Sequence, residues 1–218
     1  MADNAGMTSA DRIAELRGAP LLDALERLDP LSPEAHALDV NELALDPAEL
    51  RRDDFRRLLK ALLRLAAQAP AFDLSKVEPA RFASLVASAS RAQLESVVAD
   101  RPLRERILDE IFARMGAHIR PDRARDLQAV VHWRLSGGAG EGGYDRYETA
   151  IAHGSCTVSR EMHSAARVTI TIAPVDFFRL ITHQATPAVL FVTGRIKVKG
   201  DLAFAAGLIG FFDLPQPV

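Results

Sequence analysis

Leu127-Gln128-Ala129-Val130-Val131-His132-Trp133-Arg134-Leu135-Ser136 alternates with a period of two. Leu127, Ala129, Val131, Trp133 and Leu135 fall on one side, and Gln128, His132, Arg134 and Ser136 mostly on the other, the pattern of a half-buried strand. Downstream, Gly137 to Gly143 forms a glycine-rich loop, and Tyr147, Thr149 and Ile151 open a second alternating run. His153 and Gly154 mark a tight turn into Cys156 to Val158, so a hairpin or meander is expected. Val168, Ile170 and Ile172 make a further strand that stops at Pro174. Pro174 to His183 reads as a helix, with Asp176 in the first turn where the helix dipole favours an acid. Val189 to Lys199 reads as extended, interrupted at Gly194 by a bulge, and Asp201 caps a last helix to Phe212.

Upstream of Pro121 the period is 3.6 residues instead. Leu50, Phe55, Leu58, Leu59, Leu62 and Leu65 form an apolar stripe within a helix expected from Asp46 to Gln68, with Asp46 as N-cap and Pro47 at N1. Pro79 starts another helix, and Ser90 with Gln93 spells a capping box that opens the next. Asp100 and Pro102 begin a helix with the stripe Ile107, Leu108, Ile111, Phe112 and Met115, ending by Gly116 or before Pro121. Asp11 to Leu28 reads as two short helices broken at Gly18 and Pro20. By layer logic an all-α segment precedes an α+β unit, and we place the division at 1–99 and 100–218.

Composition narrows the function. Apolar types make up 48% and charged types 26% of the 218 residues, which excludes a disordered or collagen-like chain. The net charge of -2 gives no global field for nucleic acid. The single cysteine, Cys156, cannot form an intrachain disulfide. No uncharged run reaches the ~18 residues of a membrane span, and no signal peptide is evident, so a cytoplasmic protein is expected.

Several motifs that resemble catalytic or binding signatures fail on context. Gly138 to Gly143 fits G-x-G-x-x-G, but Tyr144, Asp145 and Arg146 lead into a strand and not into the helix whose N-terminus would hold a pyrophosphate. The six histidines lack metal-ligand spacing, so no metal is expected. His153 and Cys156 read as a turn histidine and a small strand residue, because no third group orients them.

Two features carry more. Arg195, Lys197 and Lys199 alternate with Ile196 and Val198, placing three cations on one strand face. Such a face suits either water or transient contact with an anionic membrane, at about 1 kcal/mol per basic residue. Leu202 to Phe212 has no charged or hydrogen-bonding side chain. A helix apolar on all sides is expected to be hidden on all sides, either between layers or along a ligand cavity.

The stretch Ala188-Val189-Leu190-Phe191-Val192-Thr193-Gly194-Arg195-Ile196-Lys197-Val198-Lys199-Gly200-Asp201-Leu202 resembles the signature of the sterol carrier protein type-2 family. Val168 to Ile172 with Pro174 to Leu180, and Ile151 to Val158, are similar to other elements of that family, in order, across about Leu103 to Pro215. The resemblance implies a five-stranded, mainly antiparallel sheet covered by helices, with an apolar tunnel for a sterol, a fatty acid or an acyl-CoA-like lipid. It implies no catalysis, no cofactor and no metal. Positions similar to the family's cavity lining are Phe177, Phe178 and Ile181 on the short helix, Phe191 on a strand, and Leu202, Ala205, Leu208, Ile209 and Phe212 on the last helix. The N-terminal helices lie outside the family core, and gating of the cavity or homodimerisation is the expected use for them. A second expectation stands beside the carrier: an interaction module that keeps the fold while its own aromatic rings fill the pocket.

Overall fold

The computed structural model describes residues 8–69, 72 and 76–217. The chain divides into two compact units, one reaching to Ala99 and the other spanning Asp100–Gln216.

The first unit is helical. Its described helices are α1 (Ser9–Ala14), α2 (Gly18–Arg27), α3 (Pro33–Ala37), α4 (Arg52–Gln68), α5 (Pro79–Ser88) and α6 (Arg91–Ala99). The stripe read from the sequence becomes the buried face of α4, where Phe55, Leu58, Leu62 and Leu65 pack toward α2 and α6. Arg64 finishes α2 by donating from Nη2 to the carbonyls of Leu25, Glu26 and Leu28 at 2.9, 3.2 and 3.0 Å, satisfying acceptors that a helix end leaves open. The capping box at Ser90 and Gln93 forms in both directions. Two expectations are corrected. Asp46 and Pro47 begin a single 3₁₀ turn, Pro47–Glu49, and α4 starts only at Arg52. The Asp46 cap serves that turn because Leu50 returns to extended backbone. The two short helices expected do form, but the break between them lies at 15–17, and Gly18 and Pro20 fall in the first turn of α2, where the Gly18 φ of +52° lets the chain turn into the helix.

The second unit opens with α7 (Arg101–Ala117), capped by Asp100, whose carboxylate accepts from the Leu103 N–H at 3.3 Å. After α8 (Pro121–Ala124) come β1 (Gln128–Ser136), β2 (Tyr144–Ala152), β3 (Ser155–Ser159), β4 (Val168–Ile172), α9 (Pro174–Ile181), α10 (Pro187–Val192), β5 (Ile196–Gly200) and α11 (Leu202–Gly207). The strands form one sheet in the order β3-β2-β1-β4-β5. Only β1 and β4 run parallel; the other three pairings are antiparallel. This is the α+β architecture expected, a five-stranded, mostly antiparallel sheet with helices.

Alternation sets the two faces of the sheet. Ala129, Val131, Trp133 and Leu135, then Tyr147, Thr149 and Ile151, then Val168, Ile170 and Ile172, all point inward and are buried. Helix α7 packs over β2 and β3, α9 over β1, and α10 and α11 over the β4–β5 end. A buried ion pair, Arg104 to Asp145 at 2.9 Å, fastens α7 to the start of β2. At its other end α7 approaches β3 so closely that a Cβ on Gly116 would lie 2.9 Å from the Cys156 carbonyl oxygen.

The stretch Val189 to Lys199 is not one strand. Its first half is helical because Thr186 accepts the Val189 N–H at 3.3 Å and Pro187 supplies a preset φ at N1. Gly194, at φ +69°, ends α10: its N–H reaches Phe191 O at 3.0 Å, and the Arg195 N–H reaches Leu190 O at 2.8 Å. The glycine expected to make a bulge is therefore a helix terminator, and β5 begins two residues later.

Candidate functional site

The layer between the inner sheet face and its helices is built from rings. Phe112 of α7 stacks on Tyr147 of β2 at 3.9 Å between centroids and on Phe177 of α9 at 5.2 Å. Trp133 of β1 meets Phe112 edge-on at 5.9 Å and Phe177 at 5.6 Å. Three polar side chains in this layer are hydrogen-bonded to the protein. The Trp133 indole N–H donates to Thr149 Oγ1 at 3.1 Å, and the Thr182 hydroxyl donates to Phe178 O at 2.8 Å. The Tyr147 hydroxyl donates to Asp109 Oδ1 at 2.9 Å; Arg160 Nε donates to the same oxygen at 2.7 Å while its guanidinium lies 4.7 Å over the tyrosine ring. Burial, reinforced by that carboxylate, raises the phenol well above its ordinary range. Tyr147 is therefore an anchor and not an acid at neutral pH.

The nine expected lining positions separate into three groups. Phe177, Phe178 and Ile181 on α9, with Leu208 and Phe212 near the C-terminus, are buried. Ala205 and Ile209 are half-buried. Phe191 and Leu202 are exposed, at 52% and 54%, and do not line the layer. Phe191 sits on helix α10 and not on a strand, so the helical turn carries it outward while Leu190 takes the inward place. The last helix is also not hidden on all sides. Only Phe204 of α11 is buried, Ala203 and Ala206 face solvent, and Leu208–Phe211 continues as a 3₁₀ turn. Absence of polar side chains left its sequence without a phase, and one face sufficed to hold it.

Phe112, Trp133 and Tyr147 were missed as site residues. The available signal was that each occupies an inward position of its stripe or strand, so three large rings had to converge on one layer.

The three cations also divide. Lys197 and Lys199 are exposed on the outer face of β5, across from Thr171 and Thr169. Arg195 precedes β5 and does not share that face: its guanidinium is ion-paired with buried Asp176 in the first turn of α9, Nε to Oδ2 at 3.0 Å. This pair explains why an acid is buried among the apolar residues of α9.

Elsewhere on the outer face, His132 Nε2 lies 3.1 Å from Glu148 Oε2, and that oxygen also accepts the Ser164 N–H at 3.0 Å. Burial pushes the Glu148 carboxyl up, but these bonds outweigh it and hold the group below the usual carboxylate range. Burial alone pushes the Cys156 thiol up to about 11, which makes it a poor nucleophile, and His153 sits in the turn at φ +52°. Among the described residues, no group of three His, Cys, Asp or Glu side chains could hold a metal ion, and no helix is long and apolar enough to cross a membrane. A groove of about 550 Å³ lies at the β1–β2 end of the sheet, between Gln128, Ala150, His153 and Arg167, and includes none of the expected lining residues.

The apolar layer and its covering segment lie within a stretch that is similar to one known family. Residues 108–213 match the SCP-2 sterol transfer family. The matched stretch runs from the middle of α7 through the last covering turn, and the helical first unit precedes it. Among solved structures, Sterol Carrier Protein 2 from Yarrowia lipolytica in its apo form is 24% identical, with a TM-score of 0.35, covering 42% of this chain and 69% of that one. Sterol Carrier Protein 2 Like 2 from Aedes aegypti is 23% identical, with a TM-score of 0.38, covering 49% of this chain and 93% of that one. An inverting sec-alkylsulfatase, Pisa1 from Pseudomonas sp., is 15% identical over 92% of this chain and 33% of that one, with a TM-score of 0.43. Among curated proteins there is no match.

Proposed function

We propose that the second unit binds an apolar lipid between its sheet and helices and transfers it without covalent chemistry. The ligand class is a sterol, a fatty acid or an acyl-CoA-like molecule, carried within the cytoplasm. The observation that supports this most directly is the SCP-2 family match over the segment that encloses the apolar layer. The chemistry of the layer agrees with it: Phe177, Phe178, Ile181, Leu208 and Phe212 offer apolar surface, and the Trp133 indole and the Tyr147 and Thr182 hydroxyls are committed to protein partners. A site of this kind selects by volume and shape.

Burying about twelve methylenes at ~0.8 kcal/mol each yields roughly 10 kcal/mol. Association removes about 4 to 15 kcal/mol, so micromolar affinity tolerant of chain length is expected. The test is native mass spectrometry of freshly purified protein, followed by titration with a fluorescent fatty acid. A copurifying lipid, or saturable binding at tens of micromolar, is expected by this arithmetic; protein that carries no lipid and leaves the probe unbound overturns the carrier.

One observation favours a second reading. The stacked rings of Phe112, Tyr147 and Phe177 occupy the layer that a ligand would enter. If they stay closed, the unit serves as an interaction module, and the titration distinguishes the two.

A further inference from the structure

Five large apolar residues are exposed among those described, and four of them flank the edge strand β5: Val189 at 56%, Phe191 at 52%, Val192 at 85% and Leu202 at 54%. Their exposure is built in. Leu190 is the buried residue of α10, Thr186 caps the helix start, and Gly194 closes its end. The Arg195–Asp176 pair then fastens that end to α9. The segment is thus held with its apolar side chains outward, where a folding core would have drawn them in.

Between these apolar positions the chain presents Lys197 and Lys199, both exposed on the outer sheet face. Their cross-strand neighbours on β4 are Thr171 and Thr169, and Arg134 of β1 lies beside Thr171. No acid occupies these facing positions, and among the described residues neither lysine forms an ion pair. β5 is the sheet's edge strand, its two lysines exposed, and α10 and α11 pack next to it.

We infer that the β5 rim docks edge-on to an anionic lipid bilayer, with Val189, Phe191, Val192 and Leu202 entering the interface and Lys197 and Lys199 meeting the headgroups. Charge complementarity selects this occupant. A nucleic acid would satisfy the lysines but leave four apolar side chains in water, whereas an apolar protein face would leave two like charges unmatched. A bilayer interface accepts both, since lysine stems lie along apolar surface while their ammonium groups stay with the phosphates. The inference rests on the lipid-transfer reading for its purpose but not for its physics. It also moves the basic contact from three cations to two, Arg195 being committed to Asp176.

The test is flotation of the full chain with neutral phosphatidylcholine vesicles and with vesicles containing about 30 mol % phosphatidylserine, where each basic residue adds roughly five-fold to binding. Two surface double variants are compared with the parent: Lys197→Gln with Lys199→Gln, and Phe191→Ser with Val192→Ser. We expect the parent to float only with anionic vesicles, the lysine variant to bind about 25-fold more weakly, and the apolar variant at least about ten-fold more weakly. Raising the salt should weaken the parent and leave the lysine variant nearly unchanged. Unaltered partition of both variants overturns the inference. So does an apolar variant that floats normally but turns a dimer into a monomer in size-exclusion chromatography, which would make the rim a self-association face. A fluorescent fatty acid titrated in parallel keeps the two readings apart: a parent that binds the probe but never floats refutes the docking alone, and one that floats but binds no probe refutes the carrier alone.

Discussion

Replacing Phe177 by alanine probes whether the ring layer is a filled core or a ligand site. Phe177 is fully buried, and its ring lies against Phe112 at 5.2 Å, Trp133 at 5.6 Å and Phe178 at 6.5 Å. Truncating a buried phenylalanine costs about 3 to 5 kcal/mol, rising with the cavity that remains. With rigid rings on several sides the site collapses poorly, so the upper part of that range is expected. For a unit of this size, with a thermal midpoint moving by roughly 3 to 5 °C per kcal/mol, the loss is about 12 to 25 °C. Trp133 is the only tryptophan and belongs to the second unit, so its fluorescence follows that unit's unfolding. A midpoint within about 3 °C of the parent would refute the packing argument. The ligand arm then separates the functions. In a carrier the parent already binds a fatty acid, and the variant recovers about 2.7 kcal/mol at a hundred times its Kd. In a filled module the parent binds none and the variant gains binding through the new space.

Leu208→Glu places a carboxylate where the side chain is buried, and is expected to cost at least about 3 kcal/mol and abolish fatty-acid binding. The control, Ala206→Glu on the exposed side of α11, should stay within about 0.5 kcal/mol of the parent. If the two variants melt alike, the orientation of that segment is wrong. Glu148 gives a pH test. Its folded value lies below the unfolded one near about 4.3, so its contribution is complete above that pH and disappears as the pH falls through the folded value. The difference in melting midpoint between the parent and Glu148→Gln should therefore shrink below about pH 4. A difference unchanged down to about pH 3 would show that the carboxylate is not held as an anion.

The sheet was legible because alternation needs only neighbouring residues. Ala129, Val131, Trp133 and Leu135 face inward as their spacing demands, and the caps at Ser90 and Asp100 form as written. The failures arise where two local rules compete or where the partner is remote. In Pro187 to Val192, apolar and β-branched residues argued for a strand, while Thr186 and Pro187 at one end and Gly194 at the other argued for a helix. The capping hydrogen bonds won because a six-residue helix closed at both ends leaves few groups unpaired. Arg195 read as a surface cation because its alternation with Lys197 was visible and its pairing with Asp176, nineteen positions away, was not. The ring layer required knowing that α7, β1, β2 and α9 share one face, which no single segment reveals.

The two covers over the apolar layer are fastened differently, and this decides where a ligand would pass. Helix α9 is held by its buried rings and by the Asp176–Arg195 pair. The segment Leu202–Phe212 is pinned at its ends: Asp201 accepts from the Phe204 N–H at 2.9 Å and pairs with Arg167 at 2.7 Å. At the far end, the Arg120 N–H reaches Phe211 O and the Asp213 N–H reaches His118 O, each at 2.7 Å. Between Asp201 and Asp213, Phe204, Leu208 and Phe212 are buried. Exposing all three costs about 4.5 to 9 kcal/mol, so roughly one molecule in a thousand to one in a few million would have the strap lifted at equilibrium. Opening past α9 requires the ring stack and a buried ion pair to break together. In a carrier, admission past the C-terminal strap is therefore the lower barrier.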